Sequence, residues 1–273
     1  MIDQKLLLKY RNGEINLVEM AHFMGISHQN LSCIFKKEGI LSNKALRQDV
    51  IKHDFFNIID TYGKAYLLGY FVADGSITKS KKHNTARINF SCTDADIELL
   101  ETVKKLLNIS NSIIVSKKRY KVKNTDYLSK PMASLKASSL IMFNILSEKG
   151  FGQNKTYSNY NLPNFENKDL FFKFLLGLFD GDGGINISEV SKNNGKYKYI
   201  NYCFYITSNC KDFLSDIKIK LSEYDIKSTI SQDKNSYRIS IFKKKDIIKL
   251  KQLMYLNMEL GLKRKKNKLM SIV

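Results

Sequence analysis

The chain has 273 residues, of which 43% are hydrophobic, so it is long enough for two or three compact units with buried cores. Lysine and arginine number 45 against 26 acidic residues, which gives a formal net charge of +19. No apolar run of about 18 or more residues indicates a membrane span, and the N-terminus lacks the basic-then-apolar layout of a signal peptide. We therefore expect a cytoplasmic protein with no membrane partner and with an anionic binding partner that offsets its charge.

The positive charge is concentrated in four clusters, at residues 79–83, 117–123, 242–251 and 262–268. These clusters alternate with aromatic or β-branched residues, a pattern that favours a phosphate-binding surface over a merely solvated face. Membrane-surface binding is the competing interpretation, but no basic amphipathic helix with a clean apolar face supports it. Basic residues in and near the clusters are predicted to contact nucleic acid: Lys79, Lys81, Lys117, Arg119, Lys121, Arg238, Lys243, Arg264 and Lys265.

Residues 1–45 are predicted to form a small all-α unit, joined by a linker (46–60) to the rest of the chain. The pattern indicates a helix from about Leu17 to Phe23 and a second helix from about His28 to Glu38. Ser27 is a natural N-cap for the second helix, and a glycine follows its end as a natural C-terminal stop.

This first unit resembles a helix-turn-helix DNA-binding module, whose second helix enters the major groove. Ala21 is small where the two helices must cross, and Gly25 permits the turn between them. A small helical hairpin that binds nothing has the same pattern, and the net charge favours the DNA-binding interpretation. Three residues at the start of the second helix are predicted to contact DNA: His28, Gln29 and Asn30.

An apolar phrase that ends in Asp-Gly occurs twice, as LLGYFVADGSI from Leu67 to Ile77 and as LLGLFDGDGGI from Leu175 to Ile185. After each phrase, short runs with strand character flank one amphipathic helix. The runs are residues 86–93, 112–122 and 131–138 in the first half and 184–191, 197–208, 227–233 and 236–244 in the second, and the helices are residues 96–108 and 211–224. The pattern predicts an α+β fold made by pseudo-symmetric duplication of a helix and small antiparallel-sheet unit, with subdomains at 61–162 and 163–273.

Each phrase has helical length and carries two small residues four positions apart, which lie on one helical face. These pairs are Gly69 with Ala73 and Gly177 with Gly181. We expect the two helices to pack backbone to backbone along this seam, so that leucine at Gly177 is disruptive and alanine far milder. The helices then end side by side, each followed by a glycine suited to a left-handed conformation.

Two aspartates, Asp74 and Asp182, occupy the ends of these helices. The arrangement is unfavourable by itself, because each carboxylate meets the negative end of a helix dipole and the two repel. Divalent Mg²⁺ removes the conflict, since it prefers oxygen ligands and retains water. An ordinary Asp-Gly turn explains one copy, but two matched copies favour a metal site for phosphodiester hydrolysis with two or more ions at the subdomain interface. The predicted ligands are Asp74, Asp182 and the backbone of Ala73 and Gly181.

Over roughly residues 60–273, the two phrases resemble the LAGLIDADG motif of homing endonucleases, in the single-chain form that carries two motifs. The resemblance implies a saddle of two antiparallel sheets in the DNA major groove. It also implies cleavage of both strands across the minor groove, with short 3′ overhangs. Asp74 and Asp182 stand at the eighth motif position, which implies that they are the catalytic metal ligands. The sixth position is acidic in one copy only, as Asp180 against Val72, so some local asymmetry is expected.

The same resemblance implies a basic residue near the site from the end of each half. In the second half Lys263 is the first choice and Lys265 the next, and in the first half Lys155 is the choice, beside Gln153. A lysine there would stabilise charge on the phosphate or position the attacking water, or it would be a generic phosphate contact. One polar residue just after the second strand of each half is expected to organise water: Asp94 in the first half and Ser208 in the second.

The leading functional interpretation is a monomeric, sequence-specific endonuclease that acts on double-stranded DNA with a long asymmetric target site. A free-standing or intron-encoded enzyme in a bacterial, phage or organellar host compartment fits this interpretation. The alternatives on the same fold are an RNA maturase that binds its own intron RNA and a catalytically silent DNA-binding regulator. The presence of both acids favours the enzyme. A plain helix-turn-helix repressor leaves the repeated phrase without a role.

Overall fold

The computed structural model describes residues 2–11, 14–40, 51–80, 82, 85–117, 119–122, 125–155, 158–192, 197–234 and 236–273. The chain forms two compact units, Met1–Ile51 with Asn108–Ser110 and Lys52–Leu107 with Asn111–Val273. The start of the predicted linker lies outside the described residues, and residues 52–60 belong to the second unit. The predicted boundaries at residues 45, 60 and 162 stay predictions. Across the described residues, no helix combines the length and apolarity that crossing a membrane requires.

In the part of the N-terminal unit that the structure describes there are three helices, α1 (Gln4–Arg11), α2 (Leu17–Phe23) and α3 (His28–Lys37). The sequence predicted α2 and α3 but not α1. A capping box begins α2, in which Asn16 accepts from the backbone of Glu19 and the Glu19 carboxylate accepts from the backbone of Asn16. The three helices enclose a small apolar core that includes Leu7, Tyr10, Met20, Ala21, Leu31 and Phe35.

The turn and the end of α3 in this unit follow the local signals in the sequence. Ser27 caps α3 by accepting from the backbone N–H of Asn30 at 3.2 Å. Gly25 lies in the turn at φ +67° and Gly39 follows α3 at φ +66°, a region in which glycine has no steric penalty. The two predicted helices and the turn between them are therefore present, whereas the helix-turn-helix assignment and its DNA-binding role stay predictions.

The second unit consists of two similar halves. The first half contains α4 (Tyr62–Asp74), β1 (Ser76–Lys79), β2 (Ala86–Thr93), a short 3-10 turn (Asp94–Asp96), α5 (Ile97–Leu107), β3 (Ile114–Ser116), β4 (Arg119–Val122), β5 (Thr125–Leu128), β6 (Met132–Ser138) and α6 (Leu140–Glu148). The second half contains α7 (Lys168–Asp182), β7 (Gly183–Lys192), β8 (Tyr197–Ser208), α8 (Lys211–Ser222), β9 (Thr229–Asp233), β10 (Ser236–Ile241), α9 (Lys244–Tyr255) and α10 (Lys263–Met270).

Each half builds a four-stranded antiparallel sheet with the same strand order, β1-β2-β6-β3 in one and β7-β8-β10-β9 in the other. The predicted duplication and its α+β class are therefore confirmed. Two details differ from the sequence prediction. The run at 112–122 is divided between β3 and β4, and β4 pairs with the unpredicted β5 as a separate hairpin. Strand β1 was not predicted either, because its four residues contain one apolar residue, Ile77, and so show no apolar–polar alternation in the sequence.

The first sheet buries one face and leaves the other open, as the period-two alternation of strands requires. Along β2, alternate side chains from Ala86 to Cys92 are buried, whereas those of Arg87, Asn89, Ser91 and Thr93 are not. Strand β6 alternates in the same way, with Ala133, Leu135 and Ala137 buried. The open face of the first sheet is therefore predominantly polar.

Candidate active site

The two helices that carry the repeated phrase, α4 and α7 (the motif helices), meet backbone to backbone. A Cβ built on Gly69 would lie 2.0 Å from the carbonyl oxygen of Phe174, and one built on Gly177 would lie 2.1 Å from that of Tyr66. A Cβ on Gly181 would lie 2.3 Å from the Cβ of Ala73. The four predicted seam residues thus line the contact. A single methyl group at Gly177 already collides with backbone, so alanine should be disruptive there as well; that it is far milder than leucine stays a prediction.

The glycines after the two aspartates are required for a different reason from the one expected. Gly75 has φ −79° and ψ 158°, and Gly183 has φ −100° and ψ 170°, so both are extended rather than left-handed. The chain passes directly from each motif helix into a strand. A Cβ at Gly75 would lie 2.2 Å from the Phe71 ring, and one at Gly183 would lie 2.7 Å from Cα of Phe179. Close packing, not handedness, demands glycine here.

The carboxylates of Asp74 and Asp182 end the motif helices and retain solvent access. A Cβ built on Gly181 would lie 3.3 Å from Oδ2 of Asp74, so this carboxylate is against the end of the other motif helix. Desolvation by the surrounding protein and, after it, the negative charge of Asp182 together raise the pKa of Asp74 to about 6. Desolvation also raises the pKa of Asp182. The pair is therefore close enough for its charges to interact, as the sequence predicted.

Two lysines cap the same helix ends. Nζ of Lys155 donates to the carbonyl oxygens of Val72 at 2.6 Å and Ala73 at 3.2 Å. Nζ of Lys265 lies within 3.2 Å of four carbonyl oxygens, those of Phe179, Asp180, Gly181 and Gly183. A cation stabilises the negative end of a helix. Desolvation lowers the pKa of both ammonium groups, that of Lys265 to about 8, while the nearby aspartates oppose the change.

Lys263 was the first choice for the second half, and the structure places it elsewhere. Its side chain is 78% exposed, and Nζ pairs with Glu98 at 2.6 Å. The reason is helical geometry, since α10 begins at Lys263 and each residue advances about 100° around the axis. Lys263 and Lys265 therefore project about 200° apart. Lys265, the second choice, is the residue that reaches the end of α7.

Two hydroxyl groups also hold the helix ends, and sequence reasoning did not identify them. Ser91 on β2 donates from Oγ to the carbonyl oxygen of Asp74 at 3.3 Å. Thr207 on β8 donates from Oγ1 to the carbonyl oxygen of Asp182 at 3.0 Å. Both lie near the end of the second strand of their half, so alignment of the two halves is the signal that could have found them.

The polar residues predicted to organise water have separate environments. Ser208 lies within hydrogen-bond distance of the Tyr160 hydroxyl, at 3.3 Å, and accepts from the backbone of Cys210 at 3.2 Å. Asp94 is exposed and accepts from the backbone of Ala95 at 3.0 Å, so it shapes the turn after β2. A cavity of about 230 Å³ brings together Val72, Ala73, Lys155, Tyr160, Asp182, Thr207, Ser208, Asn209 and Ser236.

Asp180, the acidic residue at the sixth motif position, is hydrogen-bonded inside the protein and does not face solvent. The side chain is only 1% exposed. Oδ2 accepts from the hydroxyl of Tyr66 at 2.8 Å and from the backbone N–H of Leu262 at 2.9 Å. Burial raises the pKa of Asp180 to about 6 although both hydrogen bonds lower it. The expected asymmetry between the two copies is thus a hydrogen-bonded anchor beneath the site.

The residues predicted to contact DNA have different surroundings. Lys79, Lys117 and Lys243 are exposed. Arg238 is over the ring of Tyr205, 4.6 Å from its centroid, and Arg264 forms an ion pair with Asp96 at 2.8 Å. Lys81 lies outside the described residues, and so do the side chains of Arg119 and Lys121. In the N-terminal unit, three exposed side chains occupy the first turn of α3: His28, Gln29 and Asn30.

A metal ion at this site would depend on few side chains. Among the residues that the structure describes, no three histidine, cysteine or acidic side chains converge as a metal-binding group. Carbonyl oxygens would therefore complete a set begun by Asp74 and Asp182. The carbonyls of Ala73 and Gly181 each accept a lysine N–H at 3.2 Å, and a carbonyl oxygen has two lone pairs.

Fold and site together define a duplicated α+β protein with an acid at the end of each of two packed helices. The family model described as LAGLIDADG-like domain matches residues 62–139 and 169–255. The chain belongs to this family.

Similar solved structures come from the same class of protein. I-WcaI bound to its DNA recognition sequence is 14% identical, covers 78% of this chain and 90% of its own, and has a TM-score of 0.53. The I-SmaMI LAGLIDADG homing endonuclease bound to cleaved DNA is 15% identical, with 76% and 86% coverage and a TM-score of 0.52. The LAGLIDADG meganuclease I-AabMI bound to uncleaved DNA is 15% identical, with 76% and 87% coverage and a TM-score of 0.51. At these identities the likeness concerns the fold. No curated protein sequence matches the chain.

Proposed function

We propose that the chain is a site-specific endonuclease that hydrolyses both strands of double-stranded DNA. The observation that carries the proposal is the placement of Asp74 and Asp182 at the ends of two helices in backbone contact, each beside a lysine ammonium. The DNA-bound state of the similar solved structures supports DNA as the substrate. Because both acids belong to one chain, a monomer contains the complete pair.

The carboxylate pair fits two or more Mg²⁺ ions. The two carboxylates retain solvent access, so a metal ion can reach them. They also repel each other and have raised pKa values, and a divalent cation would relieve both effects. Asp74 and Asp182 would hold the metal together with the carbonyls of Ala73 and Gly181. When bound, Mg²⁺ would polarise the scissile phosphate and lower the pKa of coordinated water.

Two lysines place positive charge at the ends of the motif helices, next to the carboxylate pair. We assign this role to Lys155 and Lys265, and no longer to Lys263, because only the first two reach the helix ends. With a pKa of about 8, Lys265 remains mostly a cation at neutral pH. Either ammonium can stabilise the charge that develops on phosphate oxygens or hold the attacking water by a hydrogen bond.

The open sheet faces are suited to reading a long and asymmetric target. Exposed side chains such as Arg87 and Lys136 on the first sheet can pair with base edges in the major groove, while exposed lysines neutralise phosphates. The halves differ, since the β4–β5 hairpin belongs to the first half and the longer β7–β8 pair to the second. We propose cleavage across the minor groove with short 3′ overhangs, and additional DNA contacts from α3.

A cleavage selection tests the proposal. The protein is incubated with Mg²⁺ and a randomised duplex library, and cut ends are sequenced. We expect one long consensus with a fixed stagger between the two cuts. Asp74→Asn and Asp182→Asn should abolish double-strand cleavage but preserve or improve binding, because an unneutralised carboxylate repels phosphate. DNA binding without any cleavage by the wild type would instead indicate a regulator. Full cleavage by either variant would contradict the catalytic role assigned to the substituted aspartate.

A further inference from the structure

The C-terminal helix α10 has basic residues at its N-terminus, where positive charge is unfavourable. Lys263, Arg264 and Lys265 form its first turn, which contains no acidic residue, and its N-cap Leu262 supplies no side-chain hydrogen bond. The N-terminus of a helix carries partial positive charge, so cations there are unfavourable. Their mutual repulsion is evident at Lys265, whose pKa the charge of Arg264 lowers further. Carboxylates from other elements must therefore stabilise this turn.

Asp96 supplies one of these carboxylates from the first half. Nε of Arg264 donates to Oδ1 at 3.0 Å and Nη2 donates to Oδ2 at 2.8 Å, which is the bidentate geometry of a strong arginine–carboxylate pair. The Asp96 side chain is only 7% exposed and also accepts from the hydroxyl of Thr93 at 2.9 Å. Asp96 is therefore fixed before it binds Arg264.

Asp180 supplies the second carboxylate from α7, through its bond with the backbone N–H of Leu262. Leu262 and Arg264 immediately flank the start of α10, so the two anchors set both the position and the rotation of its first turn. Lys265 follows Arg264 directly, and its long side chain crosses to four carbonyl oxygens at the end of α7. The rotation that Asp96 imposes on Arg264 is the rotation that aims Lys265.

We infer that Asp96 and Arg264 are positioning residues that hold Lys265 against the end of α7, and that Arg264 is not a DNA contact. This inference rests on the proposed endonuclease function. It is specific to one half, because among the described residues Lys155 is next to no comparable arginine–carboxylate pair. Loss of the pair should therefore displace Lys265 and leave Lys155 in place.

The test compares Asp96→Asn with Glu98→Gln in the full-length protein. Glu98 is the matched control, since it pairs with Lys263 of the same turn but both side chains are more than 70% exposed, at 73% and 78%. A target duplex labelled on both strands reports the two nicking rates separately. We expect Asp96→Asn to slow one strand by up to about 10²-fold, the effect of misplacing a group by about an ångström. The other strand, and both strands with Glu98→Gln, should stay near the wild-type rate.

Further variants and a chemical readout complete the design. Lys265→Met should slow the same strand as Asp96→Asn, and Asp96→Glu should restore part of the rate. Independently of cleavage, the labelling rate of Lys265 by an amine-reactive reagent, followed by mass spectrometry, should rise several-fold in Asp96→Asn and stay unchanged in Glu98→Gln.

Three results would overturn the inference: equal slowing of both strands, unchanged nicking by Asp96→Asn, or unchanged Lys265 labelling. A loss of metal-free DNA affinity in Arg264→Ala that is absent from Asp96→Asn would also overturn it, by making Arg264 a DNA contact. If the wild-type protein cuts no duplex, the proposed function fails, and the labelling comparison alone decides whether Asp96 positions Lys265.

Discussion

Lys155 and Lys265 occupy equivalent places in the two halves, each with Nζ 3.2 Å from the carbonyl oxygen at the seventh motif position, Ala73 in one and Gly181 in the other. The equivalence holds although the two lysines come from dissimilar segments, a loop after α6 and the first turn of α10. Each ammonium faces the negative end of a motif helix, and both aspartates interact with each ammonium. Because two unrelated segments place an ammonium group at the same motif position, we infer that the site requires a positive charge there in both halves.

The first prediction concerns these two lysines. Lys155→Met and Lys265→Met should each slow cleavage by about 10²–10³-fold, the range for loss of one group that stabilises transition-state charge. Single-turnover rates at saturating protein measure the effect. Lys263→Met is the control and should cleave at nearly the wild-type rate, because its ammonium is on the surface with Glu98. The reverse ranking of Lys263 and Lys265 would contradict the assignment.

The second prediction concerns pH and Asp74. The folded protein raises the pKa of Asp74 from its ordinary value of 3.8 to about 6, so the folded state binds this proton more tightly than the unfolded state. Stability contributed by the protonated form is therefore lost as pH rises from about 4 to about 6. Asp74→Asn should raise the melting temperature above pH 6 and make no difference below pH 4. Melting curves in metal-free buffer check this, and Mg²⁺ should then stabilise the wild type more than the variant. A pH-independent difference would exclude titration of Asp74 as the cause.

The third prediction concerns the helix seam. Gly69→Ala and Gly177→Ala should each lower the free energy of unfolding by about 1–3 kcal/mol or more, because the new methyl group meets a backbone carbonyl. Gly63→Ala is the matched control near the start of the same helix, where a Cβ would be 3.7 Å from Leu106. That change should be neutral or stabilising by less than about 1 kcal/mol. Denaturant titration measures all three, and equal effects at Gly63 and Gly177 would contradict the close seam.

The fourth prediction concerns the N-terminal unit. Leu31 is fully buried in its small core, so Leu31→Ala should cost about 2–5 kcal/mol and unfold a unit of this size. The protected footprint on DNA should shorten, while the second unit keeps nuclease activity at high protein concentration. Gln29→Ala, an exposed change, should weaken binding without loss of folding. A footprint of unchanged length in Leu31→Ala would show that α3 does not bind DNA.

Local signals in the sequence predicted much of the fold correctly. The cap at Ser27, the positive-φ glycines at 25 and 39, and the small residues at the seam each act within a few residues of their position. Their outcome is therefore readable from spacing alone. The acids at the two helix ends belong to the same category, because the repeat itself marks them.

Contacts between distant segments could not be predicted in this way. The cluster from 262 to 268 offers several lysines, and only the start of α10 decides which of them faces α7. Asp96 and Arg264 are far apart in sequence, so nothing local in either segment indicates the pair. Strands β3 and β4 form one predicted run because β-branched and basic residues continue through both, and β5, which pairs with β4, was not predicted.

The hydrogen bond between Tyr66 and Asp180 has a consequence for how the halves can be recombined. Tyr66 precedes the motif of α4 and bonds the sixth position of α7, whereas the pseudo-symmetric residues, Phe174 and Val72, are both apolar. Two copies of the first half would leave the Tyr66 hydroxyl buried without an acceptor, at about 1–3 kcal/mol. Two copies of the second half would bury Asp180 without its tyrosine donor, and although the backbone N–H of Leu262 remains, loss of one donor to a buried group costs about 1–3 kcal/mol. The seam therefore discriminates against homodimers of either half, and an engineered split enzyme should reassemble as a heterodimer.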